Sequence, residues 1–189
     1  MNPTMFLLAI PMFFLFVINS SELFSQSTDP FIPLDFKVPE KLDTQKFRLR
    51  MLTVNDVVKD YEAVMTSIDH LQGVFGPQST WPSEELTLEQ DLIDLEWHQK
   101  EFQRRTSFAY TVMSIDESKC LGCVYIDPTK KIGYDAEIYL WVRKSEFEEG
   151  LDPVLYDAVK NWVKEEWPFK KVAYPGREID WTTWESLAE

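Results

Sequence analysis

Positive charge is scarce in this chain. Its 189 residues include 19 Lys and Arg against 32 Asp and Glu, which gives a formal net charge of −13 at pH 7. Proteins that bind duplex nucleic acid depend on basic surface to displace counterions, so the composition argues against nucleic acid as a partner. The overall field of such an acidic protein favours a cationic amine as a ligand.

Cysteine and histidine are also scarce, with two of each. The cysteines, Cys120 and Cys123, lie in a run of residues that predicts a β-strand. Residues three apart on a strand point to opposite faces of the sheet, which is poor geometry for a disulfide or for a shared metal ion. We therefore expect two structural cysteines, one of them facing the core, and no metal site.

A hydrophobic run of membrane-spanning length is missing from the amino terminus. Residues 5–18 are fourteen residues without a charge, whereas a spanning helix needs about 20 and a signal-peptide core about 7–15. We predict that residues 1–26 are a signal peptide or membrane-anchor segment and that the mature chain begins between Ser20 and Ser27. The protein would then be exported or membrane-tethered. The start lacks the usual Lys or Arg, so a misplaced start, or an apolar arm packed on a cytoplasmic domain, is the alternative.

The remainder of the chain predicts a linker followed by one domain. Residues 27–44 include Pro30, Pro33 and Pro39 and are typical of an extended linker. Across the chain 44% of residues are hydrophobic and 14% aromatic, which is enough to bury a sizeable core. We therefore predict a single domain over residues 45–189.

Hydrophobic periodicity predicts the order of elements within that domain. Thr53 and Asp56 have the spacing of a capping box and open a first helix, and Thr87 opens a longer helix that runs to about Arg104. A strand, a helix and a second strand near the end form a crossover unit. The full order is β, α, α, β, β, β, α, β, with strands at residues 47–52, 108–114, 121–126, 134–142 and 170–174 and the last helix at 153–167.

This order, and the opening strand Phe47–Leu52 that leads into the Thr53 cap, resemble the GNAT acetyltransferases over about residues 45–174. The resemblance implies an α/β fold with a mixed sheet and helices on both faces. It also implies an acyl-CoA-dependent N-acyltransferase that uses acetyl-CoA and a small-molecule or protein amine as the acceptor. Only fifteen residues follow Tyr174, where many members continue with a helix and two strands, so another chain, as in a homodimer, is one way to complete the acceptor side.

The resemblance places the cofactor along the strand that ends at Val142 and in the turn after it. There the strand backbone would pair with the pantetheine arm as with an added strand. Basic side chains and backbone amides at the following helix start would receive the diphosphate. The expected cofactor-binding residues are Leu140, Trp141, Val142, Arg143, Lys144 and Gly150.

The phosphate turn also departs from the pattern Q/R-x-x-G-x-G/A of the family. With Gly150 as the first glycine, Phe147 stands where Gln or Arg is expected and Asp152 where Gly or Ala is expected. Several carboxylates of the turn, among them Glu149, would repel a diphosphate by on the order of 1 kcal/mol each unless screened. The alternative function is therefore a non-catalytic GNAT-like binding or interaction domain, exported or membrane-tethered.

Three residues are candidates for the proton transfers that acyl transfer to an amine requires. Glu137 and Tyr139 alternate on one face of the strand at 134–142, where bases of the family often lie, and Tyr174 at the end of the last strand is a candidate acid. Each also has a structural explanation: a solvated strand residue, sheet packing, and a cap before Pro175.

Aromatic residues in the long loop between the first two helices are candidates for the acceptor site. Phe75 and Trp81 would form a wall around an amine or an apolar acceptor, and the alternative is that they cover the core beneath the loop. Asp94 and His98, four residues apart on the long helix, offer a base or a pair of metal ligands. Such a pair is more often a surface ion pair.

Overall fold

The computed structural model describes residues 30–189. At its centre lies a six-stranded sheet in which each strand neighbours the next one along the chain. The first five strands run antiparallel, and the last runs parallel to the fifth. The strands are β1 (Lys41–Asp43), β2 (Arg48–Met51), β3 (Phe108–Met113), β4 (Cys120–Asp127), β5 (Ala136–Val142) and β6 (Val172–Ala173).

Helices pack on both faces of this sheet, so the predicted α/β fold class is confirmed. A short 3₁₀ turn, Val54–Asp56, precedes the first helix. The crossover from β5 to β6 contains the second-longest helix and has the predicted strand–helix–strand order. The helices are α1 (Val57–Met65), α2 (Ile68–Leu71), α3 (Leu88–Arg104), α4 (Lys144–Glu148), α5 (Leu151–Glu166) and α6 (Trp181–Ser186).

The helix starts follow from local sequence. The Asp56 carboxylate accepts from the backbone N–H of Thr53 at 3.0 Å, as its position in a capping box predicts. At α3, the Thr87 hydroxyl accepts from the N–H of Gln90 at 3.2 Å. The Gln90 side chain instead donates to Asp94 at 3.1 Å, so only half of the second capping box forms.

The sheet separates two clusters of buried side chains. One lies beneath α5 and contains Leu155 and Trp162. The other lies beneath α1 and α3 and contains Val64 and Leu95. Alternate residues of β4 and β5 supply the two clusters, as expected for a sheet that is covered on both faces.

An extra residue in β4 interrupts this alternation. The register shifts between Val112 and Met113, where Leu121 is left without a partner on β3. Because a bulge moves the following side chains by one position, Cys120 and Cys123 both enter the cluster beneath α1 and α3. The expectation that they point to opposite faces is therefore wrong, although both are buried and free.

Gly122 follows the bulge and allows close approach of the neighbouring strand. A Cβ atom at this position would lie 1.9 Å from the carbonyl oxygen of Trp141. Any side chain would therefore push β5 away from β4, which agrees with the usual meaning of glycine inside a strand.

The segment expected to be a linker is packed against the domain from Pro30 onward. Ile32 is 1% exposed and belongs to the core beneath α5. The Arg105 guanidinium donates to the carbonyl oxygens of Pro33 and Phe36, both at 2.8 Å. Residues 41–43 then form β1, so the folded unit begins well before residue 45.

The predicted signal or anchor segment at residues 1–26 lies outside the described residues, and export or tethering through residues 5–18 stays a prediction. Among residues 30–189, no helix combines the length and the apolar character that crossing a membrane requires.

The last residues fold back over the sheet. Asp180 caps α6 by accepting from the N–H of Thr183 at 3.0 Å. Trp184 is 5% exposed, and Trp181 stacks on Tyr139 with ring centroids 6.2 Å apart. The short tail thus covers the edge of the sheet where β5 and β6 meet.

Candidate functional site

Strands β5 and β6 separate soon after they meet. They pair at Ala136 with Val172 and at Glu137 with Ala173, and nowhere further along. A cavity of about 220 Å³ fills the gap, with Leu140, Gly176 and Trp181 in its lining. An extended ligand could bind here by adding to the free edge of β5.

The predicted cofactor strand offers backbone rather than side chains to this gap. Leu140 and Val142 are 1% exposed and belong to the core beneath α5, while Trp141 is 2% exposed on the opposite face. Their other backbone edge pairs with β4. Only main-chain groups on the β6 side therefore remain for a ligand, as the resemblance implied.

Arg177 occupies part of this edge. Its Nη2 atom donates to the carbonyl oxygen of Leu140 at 3.2 Å, and its guanidinium bonds both carboxylate oxygens of Asp152 at 2.7 and 2.9 Å. The two residues tie the start of α5 to the segment after β6. A ligand that pairs with Leu140 must displace this contact.

The turn expected to receive a diphosphate is helical. Glu146 and Phe147 donate their backbone N–H groups to the carbonyl of Arg143, and Gly150 donates its own to Phe147. Gly150 has φ of 78°, the left-handed conformation that glycine adopts readily. Amides used inside the turn are not free for an anion, and Pro153 in the first turn of α5 has none.

The two basic residues of the turn lie in different surroundings. Arg143 is 6% exposed, and its guanidinium donates to the Glu62 carboxylate at 3.1 Å and to the Thr66 hydroxyl at 3.0 Å. It therefore ties β5 to α1 and does not reach the turn, contrary to its predicted role. Lys144 is exposed beside Ser67, on the side of α1 and α2.

The carboxylates of the turn are better compensated than the sequence indicates. Asp152 is paired with Arg177, and Glu146 forms an ion pair with Lys119 at 2.5 Å. Glu148 and Glu149 are exposed to solvent. The repulsion of a diphosphate that the sequence predicts is therefore an overestimate, and the stronger obstacle is the helical turn itself.

Glu137 and Tyr139 lie together on the face of β5 that carries α1 and α3. The Tyr139 hydroxyl donates to the Glu137 carboxylate at 3.2 Å. Burial, with the nearby negative charge of Glu137, raises the pKa of the Tyr139 phenol. Tyr139 is therefore protonated at neutral pH and can donate a proton, whereas its place on the strand had indicated a base.

Tyr174 does not join this pair. It is 4% exposed and belongs to the core beneath α5, where its ring packs on Tyr156 with centroids 5.4 Å apart. Burial raises the pKa of Tyr174 to about 12. The sheet lies between Tyr174 and the Glu137–Tyr139 pair, so the three predicted catalytic residues do not converge.

A larger cavity of about 470 Å³ opens on the same face as Glu137 and Tyr139, between α3, α1 and β4. Its charged lining is acidic, and the histidine in it is the His98 of the predicted Asp94–His98 pair. We call this space the acidic cavity. Its titratable lining residues are Asp60, Asp91, Asp94, His98, Glu101, Asp127 and Tyr125.

Three carboxyl groups of the acidic cavity, those of Asp60, Asp91 and Asp127, have raised pKa values. Burial, followed by the charges of Asp60 and Asp94, raises the pKa of Asp91 to about 7. Burial likewise raises the pKa of Asp60 and of Asp127 to about 6. Burial lowers the pKa of His98, so the imidazole is neutral at pH 7 and does not balance these charges.

Phe75 and Trp81 form the aromatic wall that the sequence predicts. Their rings meet edge to face with centroids 5.1 Å apart, and both line the acidic cavity. Phe75 also contacts Tyr125 at 5.4 Å and Tyr139 at 5.6 Å. Phe75 therefore lies between the acidic cavity and the ring of Tyr139.

The two cysteines meet Asp60 at the inner end of the acidic cavity. Both thiols donate to the same carboxylate oxygen, Cys120 at 3.7 Å and Cys123 at 3.3 Å. Sulfur and oxygen atoms of the three residues lie within 4.8 Å of one another. Burial raises the pKa of the Cys123 thiol, so it stays protonated and serves as a hydrogen-bond donor.

Several residues of the site escaped prediction. The spacing of Asp91, Asp94, His98 and Glu101 along α3 is visible in the sequence, but the partners that complete the cavity, Asp60 and Asp127, come from α1 and the end of β4. No sequence pattern pointed to Arg177, because its contacts with Leu140 and Asp152 depend on where the chain turns after β6.

Comparison with known proteins gives structural but no sequence relatives. No family model matches this sequence, and no curated protein matches it. A structure described as a ribosomal-protein-serine acetyltransferase from Vibrio cholerae is similar with a TM-score of 0.54 and 14% identity, over 66% of this chain and 67% of that one. RimL, a ribosomal-protein alpha-N-acetyltransferase in complex with coenzyme A, is similar with a TM-score of 0.53 and 16% identity, over the same shares.

A chimera of the spermidine N-acetyltransferase SpeG from Vibrio cholerae is similar with a TM-score of 0.50 and 12% identity, over 69% of this chain and 70% of that one. At these identities the likeness concerns the fold. The sheet order, the crossover through α5 and the separation of β5 from β6 agree with it, and the described part of this chain has the fold of the GNAT acetyltransferases.

Proposed function

We propose that this protein is a GNAT-type N-acyltransferase that uses acetyl-CoA and acts on an amine. One observation carries the proposal: the gap between β5 and β6 and the acidic cavity lie on either side of Tyr139 and the Phe75 wall. A donor in the gap and an amine in the cavity would then meet at the Glu137–Tyr139 pair.

The residues of this pair suit the proton transfers. The donor supplies an activated acyl group as a thioester; in the transfer the C–S bond breaks, a C–N bond forms, and the amine proton ends on the thiol. In this proposal the Glu137 carboxylate accepts the proton of the amine. Tyr139 donates a proton to the sulfur, which its protonated phenol supports.

The structure fits one half of coenzyme A better than the other. The edge of β5 at Leu140 suits the pantetheine arm, which needs only backbone partners there once it displaces the contact of Arg177 with the Leu140 carbonyl. The turn at 143–150 is poorly suited to the diphosphate, since Glu146, Phe147 and Gly150 use their amides internally. We therefore expect weak binding of coenzyme A, with a dissociation constant near or above about 100 μM.

Calorimetric titration of the full chain with acetyl-CoA and with free CoA tests this function. The substitution Asp152→Gly should tighten binding several-fold, because it removes a carboxylate from the turn and frees the Arg177 guanidinium to pair with a phosphate. The gain should shrink at high salt. Glu165→Gln, an equal charge change on the exposed face of the same helix, should leave the affinity unchanged.

Two outcomes would contradict the proposal in different ways. Low-micromolar binding together with a neutral Asp152→Gly would show that the diphosphate lies elsewhere than beside Asp152. No binding of either ligand at millimolar concentration would favour the alternative, a non-catalytic GNAT-like binding domain, for which the helical turn at 144–148 is the supporting observation.

A further inference from the structure

The acidic cavity has properties that the transferase function alone does not require. It holds five carboxyl groups and, among the residues that the structure describes, its lining includes no Lys or Arg. A volume of about 470 Å³ is within the range of small-molecule sites. Lys100, on the same helix as three of these carboxyls, has its ammonium group over the exposed ring of Trp97, 4.3 Å from the centroid.

Two buried side-chain atoms in the cavity lining lack a hydrogen-bonding partner within the described residues, Asp91 Oδ2 and His98 Nδ1. Asp91 is 4% exposed, and its Oδ2 atom has no partner within the described residues. A buried carboxylate without a hydrogen bond or a counter-ion is costly. A donor group of a cationic ligand would therefore be favourable beside this oxygen.

The arrangement of charges indicates an extended cation. Asp91, Asp94 and Glu101 lie on the cavity side of α3, and ten residues of helix correspond to a row of about 15 Å. Asp60 and Asp127 face this row from α1 and β4. A linear molecule with separated charges can meet several of these groups at once.

A metal ion fits the cavity less well. Calcium needs six to eight oxygen ligands that converge on one point. Among residues 30–189, the group of potential ligands whose atoms come within 4.8 Å of one another is Asp60 with the two cysteines. The other carboxylates of the cavity form no such group, so they are spread out rather than convergent.

Aromatic side chains complete the match to an aliphatic chain. Phe75, Trp81 and Tyr125 line the cavity beside the carboxylates. Their faces can pack against methylene groups and attract ammonium groups by cation–π interaction. A lining that contains both carboxylates and aromatic rings suits a chain of methylenes between charged nitrogens.

We propose that the acidic cavity binds a linear aliphatic amine with at least two positive charges, and that this amine is the acceptor. The second part rests on the transferase function proposed above, whereas the binding does not. With its distal charges held by Asp91 and Glu101, the terminal nitrogen would pass the Phe75 wall toward Glu137 and Tyr139.

Binding of such a cation should release protons. At pH 7 the folded protein retains protons on carboxyls whose pKa is raised, Asp91 above all, and a bound cation favours their ionised form. The titratable groups that face Asp91 are Asp60 on α1, Asp94, His98 and Glu101 on α3, and Tyr125 and Asp127 on β4.

Calorimetric titration of the full chain with spermidine as the probe, at pH 7 and low salt, tests the proposal. Spermidine should bind at least tenfold more tightly than butylamine, and more tightly than calcium chloride. The heat should change between buffers of different ionisation enthalpy, because protons are released. Butylamine or calcium binding as tightly as spermidine, or no heat with spermidine, would overturn the proposal.

Variants locate the binding on the molecule. Asp91→Asn should weaken spermidine binding at least fivefold. Glu101→Gln should weaken it at least twofold, and because the Glu101 side chain is 42% exposed, this change does not disturb the core. Glu96→Gln removes the same charge from the exposed side of α3 and should have no effect. Equal losses for Glu101→Gln and Glu96→Gln would mean that only the overall charge matters, which contradicts a cavity site.

Separate measurements distinguish this proposal from the transferase function. Spermidine binding without CoA binding would leave the amine site standing and end the transferase function. CoA binding without spermidine binding would overturn the amine site and leave the transferase function standing. If a lysine-rich peptide binds more tightly than spermidine, the acceptor is a protein, and the proposal of a linear aliphatic amine is overturned.

Discussion

The two faces of the sheet differ in what they bury. Beneath α5 the core is apolar and aromatic, with Leu155, Val159 and Trp162 packed on alternate residues of β4 and β5. Beneath α1 and α3 the core also contains the carboxyls of Asp60 and Asp91, which are 4% exposed each. Both faces belong to one sheet, so the fold alone does not require the difference.

We interpret the difference as one face that serves stability and another that serves the proposed binding. Apolar burial stabilises a domain at little cost in desolvation, whereas buried carboxyls without cations reduce stability unless a ligand compensates them. Perturbed pKa values cluster at functional sites for this reason. The α5 face therefore contributes most to stability, and the opposite face, where we propose that ligands bind, contains buried carboxyls at some cost in stability.

The largest expected effect is on the α5 face. Trp162→Ala should reduce the free energy of unfolding by about 3–5 kcal/mol, because the indole is 3% exposed and contacts Tyr110 and Trp167. Chemical denaturation measures this loss. Lys164→Ala, an exposed position on the same helix, should change stability by less than about 0.5 kcal/mol. Similar values for the two variants would show that α5 does not cover the core.

A smaller loss is expected for the matching position on the other face. Leu95→Ala should cost about 2–4 kcal/mol, because Leu95 is 3% exposed but also borders the acidic cavity, where water can partly fill the space left behind. The same denaturation series measures it, with Glu96→Ala as the exposed control. If Leu95→Ala reduced stability more than Trp162→Ala, the proposed difference between the two faces of the sheet would be wrong.

The smallest expected effect is a gain in stability, not a loss, and it depends on pH. The pKa of Asp91 is raised to about 7, so the folded chain binds a proton that the unfolded chain releases between about pH 4 and 7. Stability therefore falls as the pH rises through that window. Asp91→Asn removes this loss and should gain about 1 kcal/mol over wild type at pH 8, and much less at pH 4.

Denaturation midpoints at the two pH values measure this gain. Asp157→Asn, an exposed carboxylate on α5, should show no such difference. A loss of stability for Asp91→Asn at pH 8 would mean that the carboxylate has a compensating partner, and the contrast between the two faces would disappear.

Local sequence determined the elements and much of the fold. Thr53 and Thr87 open helices at the expected residues because a cap depends on the side chain next to the helix start. The strand–helix–strand order near the carboxyl terminus followed from hydrophobic periodicity, and so did the pairing of Glu137 with Tyr139 on one face of β5. Each of these depends on neighbours within a few residues.

The tertiary structure decided what depends on distant parts of the chain. A bulge opposite Leu121 turned both cysteines to one face, and the bond from Arg143 to Glu62 removed a predicted phosphate ligand. The acidic cavity needs Asp60, Asp91 and Asp127, which only packing brings together. Sequence spacing reports which side chains share a face of one element, whereas a cavity between elements exists only once their faces have met.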